Sequence, residues 1–220
     1  MQRRIISIII IIVVLATYAF LNSRYFVLEQ LEWVGLTLLS PNDLLDAAGS
    51  PRGNVFRVDK QALEDEISAH VWIKAAHVTW SWPNRLTVHV TERQPIALVV
   101  NNDSFFLLDR EGVLLPPPRG FSYGSLPLVT NGDLEASEQL IAIARLLSRL
   151  PASLYDNISE WNSREQMLIT RSGTQILFGS LRELDRKVAA LELVMEELAK
   201  QKVVPKKIDL RVANSPVIVE

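Results

Sequence analysis

The stretch Trp72 to Pro95, WIKAAHVTWSWPNRLTVHVTERQP, constrains the fold more than any other part of the chain. Apolar residues fall at every second position: Ala76, Val78, Trp80 and Trp82 on the way out, then Leu86, Val88 and Val90 on the way back. Such alternation on both sides of a Pro83-Asn84 turn signal predicts an antiparallel hairpin with one buried and one wet face. A two-residue loop at Pro83 and Asn84 would set Trp82 against Arg85 and Val78 against His89, placing the two apolar sets on opposite faces. A three-residue loop, Pro83 to Arg85, pairs Trp82 with Leu86, Trp80 with Val88 and Val78 with Val90, so both sets share one face. That register is the one expected, with both tryptophans in the core and His77 and His89 as diagonal neighbours on the solvent face.

Upstream, Phe26 to Val34 reads as a strand ended by Gly35. Ser40 suits a helix N-cap, Pro41 the first helical position and Asp43 the acid of a capping box, with Leu44, Leu45 and Ala48 as a short apolar stripe. Asp59 caps a second helix in which Ala62, Leu63 and Ile67 share a face while Glu64, Asp65 and Glu66 stay wet. Two helices over three strands give a β-α-α-β-β unit with a small core of its own.

Downstream of Pro95 the pattern changes to short strands, Ile96 to Val100 and Phe105 to Leu108, followed by a proline-rich loop from Pro116 to about Tyr123. A helix over Leu134 to Leu150 turns Leu140, Ile143, Ala144 and Leu147 to one side, and Pro151 ends it. Strands are expected at Ile158 to Trp161, Gln166 to Arg171 and Gln175 to Phe178. From Leu181, apolar residues at Leu184, Val188, Leu191, Met195 and Leu198 form a seam too short to specify a coiled coil, so a helix packed on its own sheet is expected. Lys207 to Val212 and Pro216 to Val219 close the chain as apolar, β-branched segments.

Ile5 to Leu21 carries no charge and would span roughly 25 Å as a helix, at about 1.5 Å per residue. Arg3 and Arg4 precede it and Arg24 is the first basic residue after it, a bias that places the N-terminus in the cytoplasm. A cleaved signal peptide is the rival reading, with Thr17-x-Ala19 as its cleavage site; the length of the tract and the bulky residues after it favour an anchor. Of the 220 residues, 48% are hydrophobic, and what remains outside the tract suits two small soluble domains. A net charge of -2 without a basic stripe argues against nucleic-acid binding, and the absence of cysteine removes disulfides, thiol nucleophiles and cysteine-ligated zinc.

The run Trp72, Ile73, Lys74, Ala76, Val78, Pro83, Leu86, Val88, Val90, Glu92 and Pro95 resembles the end of a POTRA module of the FtsQ/DivIB cell-division family. Leu108, Asp109 and Gly112 resemble that family's Asp-x-x-Gly turn, and Ile208, Asp209, Leu210 and Arg211 its C-terminal strand. The resemblance spans nearly the whole chain. It implies an α+β protein with a cytoplasmic stub at 1–4, a single transmembrane signal-anchor helix at 5–21, a POTRA domain at 26–93, and a mixed α/β C-terminal domain with a largely antiparallel sheet at 94–220. It also implies a septal protein of the inner membrane, whose bulk is extracytoplasmic. Its expected partners are FtsB/DivIC-like and FtsL-like coiled-coil proteins, with other division proteins meeting the POTRA domain.

The chemistry in the sequence favours binding over catalysis. His70, His77 and His89 have no nucleophile elbow to serve, His77 and His89 lack a third metal ligand, and Glu92 with Asp103 or Asp109 forms no pair that the spacing enforces. The nine glycines never cluster into a phosphate-binding loop, and neither cofactor nor metal is expected. An open sheet edge, by contrast, offers unpaired N–H and C=O groups to an extended partner segment. The resemblance implies contact residues at Leu210, Arg211, Val212, Asn214 and Ser215 at the terminal strand, with Arg164 as a second basic contact on a neighbouring strand. Arg211 either meets a partner carboxylate or pairs internally, and Val212 stands where the resemblance expects an aromatic. On this reading, proline at Leu210 or Val212 removes a ladder donor and abolishes partner binding. A POTRA-bearing chaperone or transport component is the alternative function, and the outer strand of the hairpin is a second possible docking edge.

Overall fold

The strand-helix-helix-strand-strand order expected ahead of Pro95 is present. The computed structural model describes residues 2–49, 51–101, 104–118 and 120–219, with side chains except at 46–48 and 101, so the stripe position Ala48 and the candidate acid Asp103 lie outside what is described. The chain divides into two units, Met1–Arg93 and Gln94–Glu220.

The first unit begins with α1 (Gln2–Leu21), none of whose side chains is buried. It is long and apolar enough to cross a membrane. A short 3-10 turn at Arg24–Phe26 leads to β1 (Gln30–Val34), then α2 (Pro41–Ala48), α3 (Lys60–Ser68), β2 (Ile73–Ser81) and β3 (Arg85–Glu92). Local chemistry accounts for the helix starts. Ser40 and Asp43 close a capping box with Pro41 in the first turn, and the Asp59 carboxylate accepts from the Ala62 N–H. The sheet order is β1-β3-β2, with β1 parallel and β2 antiparallel to the central β3. Leu44, Leu63 and Ile67 from the helices meet Ile73, Val78, Leu86, Val88 and Val90 from the sheet in a core shared with Phe26 and Val55.

The hairpin corrects the expected pairing. Trp80 lies opposite Leu86, Val78 opposite Val88 and Ala76 opposite Val90, two residues away from the expected partners, so both apolar sets still share one face. Arg85 belongs to the strand rather than the loop. It pairs with Gln30 and Ser81, and its guanidinium reaches Glu32 on β1 at 2.8 Å. The loop is therefore Trp82 to Asn84. Both tryptophans sit at the end of the sheet, and Trp80 is 45% and Trp82 63% exposed, against the expectation of a core position. In place of the helices they meet Phe56, and Trp82 also meets Phe26. On α3, Ala62 is exposed and Glu64 is half-buried, because the Glu64 carboxylate accepts from the Val78 N–H on β2.

The second unit contains β4 (Pro95–Asn101), β5 (Ser104–Asp109), β6 (Leu114–Leu115), β7 (Leu128–Thr130), α4 (Ser137–Arg149), α5 (Ala152–Tyr155), β8 (Ile158–Asn162), β9 (Met167–Thr170), β10 (Gln175–Leu177), α6 (Leu184–Gln201), β11 (Lys207–Asp209) and β12 (Val217–Val219). They form one sheet in the order β12-β11-β10-β9-β8-β7-β4-β5-β6. Five of its eight pairings are antiparallel. β6, β7 and α5 have no counterpart in the sequence reading. β7 is only three residues long and exists because Val129 registers between Val99 on β4 and Trp161 on β8. Helices α4 and α6 are joined by the Arg149–Asp185 ion pair and bury Leu140, Ile143, Leu147, Leu184, Val188, Leu191 and Leu198 in the core with the sheet, as the seam predicts. The Asp109 turn is present too. One carboxylate oxygen accepts from the N–H groups of Glu111 and Val113, and Gly112 has φ +86°. A Cβ at Gly112 would lie 2.7 Å from the Ile141 Cα on α4, so glycine is required there twice over.

Candidate functional site

The end of the sheet around β11 gathers most of the residues singled out from the sequence, in a different arrangement from the one expected. β11 ends at Asp209, and Leu210, fully buried like Ile208 two positions before it, still donates its N–H to the Leu177 carbonyl on β10 at 2.8 Å. Arg211 pairs internally. Its Nε and Nη2 both reach the Asp209 carboxylate, the latter at 2.6 Å, and its backbone N–H donates to the same group. Hydrogen bonding from Arg211 holds the Asp209 carboxyl below the usual range, against a smaller upward push from burial. The aliphatic stem of Arg211 lies over Gly179, where an added Cβ would come within 2.9 Å of the Arg211 Cγ. Val212, Asn214 and Ser215 then form the connection to β12, with the Ser215 N–H donating to the Val212 carbonyl.

The outer side of β11 is occupied. β12 pairs antiparallel with it through Lys207 and Val219, Ile208 and Ile218, and Asp209 and Val217. The expectation that the segment Lys207 to Val212 presents the open rim is therefore corrected, because the chain turns back beyond Val212 and lays its own strand along β11. The rim moves outward by one strand. Among the described residues no strand pairs with the far side of β12, and Val217, Ile218 and Val219 are 56%, 43% and 49% exposed. Main-chain groups lined by apolar side chains form the kind of edge that accepts an extended segment.

Arg164 sits in the turn between β8 and β9, its N–H bound to the Asn162 side chain. The cross-sheet row Met167, Leu177, Asp209 and Val217 puts that turn at the same end of the sheet as Arg211. Two strand spacings, about 10 Å at roughly 4.8 Å each, separate β9 from β11. Arg164 and Arg211 thus flank one end of the sheet without forming a single cluster. Sequence reasoning passed over Lys187, whose amine lies beneath this end and donates to the carbonyls of Phe178 and Ser180 at 2.6 and 2.8 Å. Burial pushes its pKa down, with Glu183 and Asp209 opposing the shift. The signal was available: Lys187 falls three residues after Leu184, on the core-facing side of α6.

Other candidates are taken up by structure. β2 is an edge of the first sheet, yet its Val78 N–H is capped by Glu64, which also holds the His77 Nδ1 at 2.9 Å. His77 and His89 lie directly opposite each other rather than diagonally, and the His89 Nε2 is 3.3 Å from the Thr79 hydroxyl. Glu92 and Asp109 are each filled by nearby backbone N–H groups. Among the described residues no group of three His, Asp or Glu side chains is arranged to hold a metal.

An FtsQ-type POTRA domain model matches residues 26–93, and the model for the C-terminal region of the cell division protein FtsQ/DivIB matches residues 97–211. FtsQ from Myxococcus fulvus is 34% identical over 176 residues, covering 72% of this chain and 61% of that protein. FtsQ from Corynebacterium glutamicum is 26% identical over 207 residues, covering 89% of this chain and 92% of that one. A solved structure of the major extracytoplasmic domain of DivIB from Geobacillus stearothermophilus, in its trans isomer, covers 50% of this chain and 97% of its own, at 18% identity and a TM-score of 0.36. An apolar anchor helix, a β-α-α-β-β module and a mostly sheet domain make this a membrane-anchored POTRA protein. The chain belongs to the FtsQ/DivIB family of cell division proteins. The C-terminal match ends at Arg211, so β12 lies beyond it.

Proposed function

We propose that this protein is a non-enzymatic scaffold of the division machinery that holds a partner by accepting an extended segment along β12. By bridging membrane division proteins it helps assemble and regulate the septal peptidoglycan synthesis complex. The observation that carries the reading is the outer position of β12, an apolar strand that among the described residues pairs with β11 alone. Strand addition supplies main-chain hydrogen bonds for affinity, and the exposed Val217, Ile218 and Val219 side chains supply selectivity for an apolar or β-branched segment. Arg211 keeps its Asp209 partner and shapes the turn into β12, while Val212, Asn214, Ser215 and the more distant Arg164 border the docked segment. Family membership, and the coiled-coil partners that the resemblance implies, support an FtsB/DivIC-like chain, paired with an FtsL-like one, as the donor. The charge bias around the apolar tract supports an N-terminus in the cytoplasm with both folded units outside, and family membership supports a place at the septum.

The test is photo-crosslinking in dividing cells from the full chain, with benzoylphenylalanine at Val217 or Val219 and, as control, at the exposed Val204. Capture of the FtsB-like chain from β12 but not from Val204, lost in Ile218→Pro, is the expected result. Equal capture from Val204, or capture unaffected by Ile218→Pro, overturns the strand-addition mechanism.

A further inference from the structure

The face at the end of the hairpin is built around the end of α1. The Leu21 carbonyl accepts from the Asn54 side chain at 2.6 Å, and the Asn22 side chain accepts from Arg57 at 2.7 Å, so the segment carrying Phe56 is held at the level where the apolar helix stops. The Phe26 ring bridges the same level, edge to face with Phe20 of the helix at 5.2 Å and with Trp82 of the hairpin loop at 6.0 Å. Phe56 meets both Trp80 and Trp82. The helix end and the hairpin tip therefore share one run of aromatic rings. Its outer members are unusually open for their size, with Tyr25 61% and Trp82 63% exposed. Cations edge the run: Arg57 lies beside Asn22, and the Lys60 amine is 4.5 Å from the centre of the Trp80 ring.

Where an apolar helix ends, a bilayer passes from hydrocarbon to headgroups, and that zone favours rings with an apolar body and a polar N–H or O–H. Lysine and arginine reach from the same depth to lipid phosphates, and an anionic leaflet adds attraction. We propose that the face made by Tyr25, Phe56, Trp80 and Trp82, edged by Arg57 and Lys60, rests on the anionic lipid surface into which α1 inserts. The occupant is lipid rather than a protein because the aromatic run continues directly from the membrane-spanning helix and its cations match phosphate. The first unit is then seated on the bilayer instead of swinging on a flexible tether. This rests on the anchor reading of α1 and is independent of the β12 edge.

The test is tryptophan quenching by brominated lipids, with the full chain alone in nanodiscs of phosphatidylethanolamine and phosphatidylglycerol. Trp72 and Trp161 are buried and contribute little to contact quenching, and Trp33 is half-buried on β1, so the face is read from the change on replacing Trp82. The expected result is strong quenching by lipids brominated near the headgroup, weaker quenching by lipids brominated deep in the chains, and a clear drop in the shallow quenching in Trp82→Phe, with Trp80 accounting for the remainder. Arg57→Gln with Lys60→Gln is expected to weaken it further when phosphatidylglycerol is present. The proposal is overturned if the wild-type chain shows no shallow quenching, a result that needs no variant to fold. Undiminished quenching in Trp82→Phe overturns it as well. Quenching that appears only after a division partner is added assigns the face to protein and overturns the lipid reading.

Discussion

Four donors converge on the Glu92 carboxylate near the end of β3: the N–H groups of Thr37, Leu38 and Leu39 and the Thr37 hydroxyl. They tie the connection between β1 and α2 to the central strand, and Glu92 is only 8% exposed. Burial alone pushes its pKa up, but the Thr37 hydroxyl and the N–H groups of Leu39, Leu38 and Thr37 together bring it below the ordinary value. A carboxyl depressed in the folded state stabilises fully above its unfolded value, near pH 4.3, and that contribution is lost as pH falls through the folded value. Glu92→Ala is expected to cost about 2 kcal/mol at neutral pH, the usual scale for hydrogen bonds to a charged group. Denaturant titrations at pH 7 and pH 3 check this, with the gap between wild type and variant narrowing at the lower pH. The acid was legible in the sequence as a motif residue, whereas its role as a clamp on Thr37 to Leu39 depends on segments more than fifty positions apart.

At the scale of elements, β11 and β12 behave differently although both read as apolar, β-branched segments. Leu210 follows β11 as an interior residue whose N–H bonds to Leu177, so proline there breaks the protein's own sheet before it can affect a partner. Leu210→Pro removes a ladder hydrogen bond at a buried position and is expected to take hydrogen-exchange protection from β10 and β11. Ile218→Pro removes an N–H that faces away from β11 and is expected to leave β10 and β11 protected, and the two exchange maps separate a core strand from an outer one. If both variants lose β10 protection alike, β12 is part of the core and no rim is free. The seam of α6 is the contrary case. Leu184, Val188, Leu191 and Leu198 go into the core as their spacing requires, because a helix carries its buried stripe within one continuous segment.

At the scale of the whole molecule, each unit owns a core, one around Leu44, Ile67 and Leu86 and the other around Ile143, Trp161 and Phe178. Perturbations should therefore stay where they are made. Gly112→Ala forces a Cβ against the Ile141 backbone at a positive φ, and about 2 kcal/mol is expected from strain of this kind. Hydrogen exchange on the intact chain is expected to show lost protection confined to residues after Gln94 in Gly112→Ala and to residues before Arg93 in Glu92→Ala. Loss spreading through both units in either variant would show that they fold as one.

The apolar tract, the capping box at Ser40, the alternation of the hairpin and the seam of α6 are determined by the sequence itself, because each is a local period or a local hydrogen bond. Which face of a strand is buried is likewise a local property, and the apolar sets of β2 and β3 do share a face. The partner of each strand is not. A shift of two residues in the hairpin preserves every face, so only the link from Arg85 to Gln30 and Glu32 on β1 selects the observed pairing and leaves Trp80 and Trp82 outside the core. Likewise only the return of the chain beyond Val212 decides that β12, not β11, is the outermost strand on that side of the sheet among the described residues. Strand pairing joins residues far apart in the chain, and a period of two repeats itself at each of the alternatives.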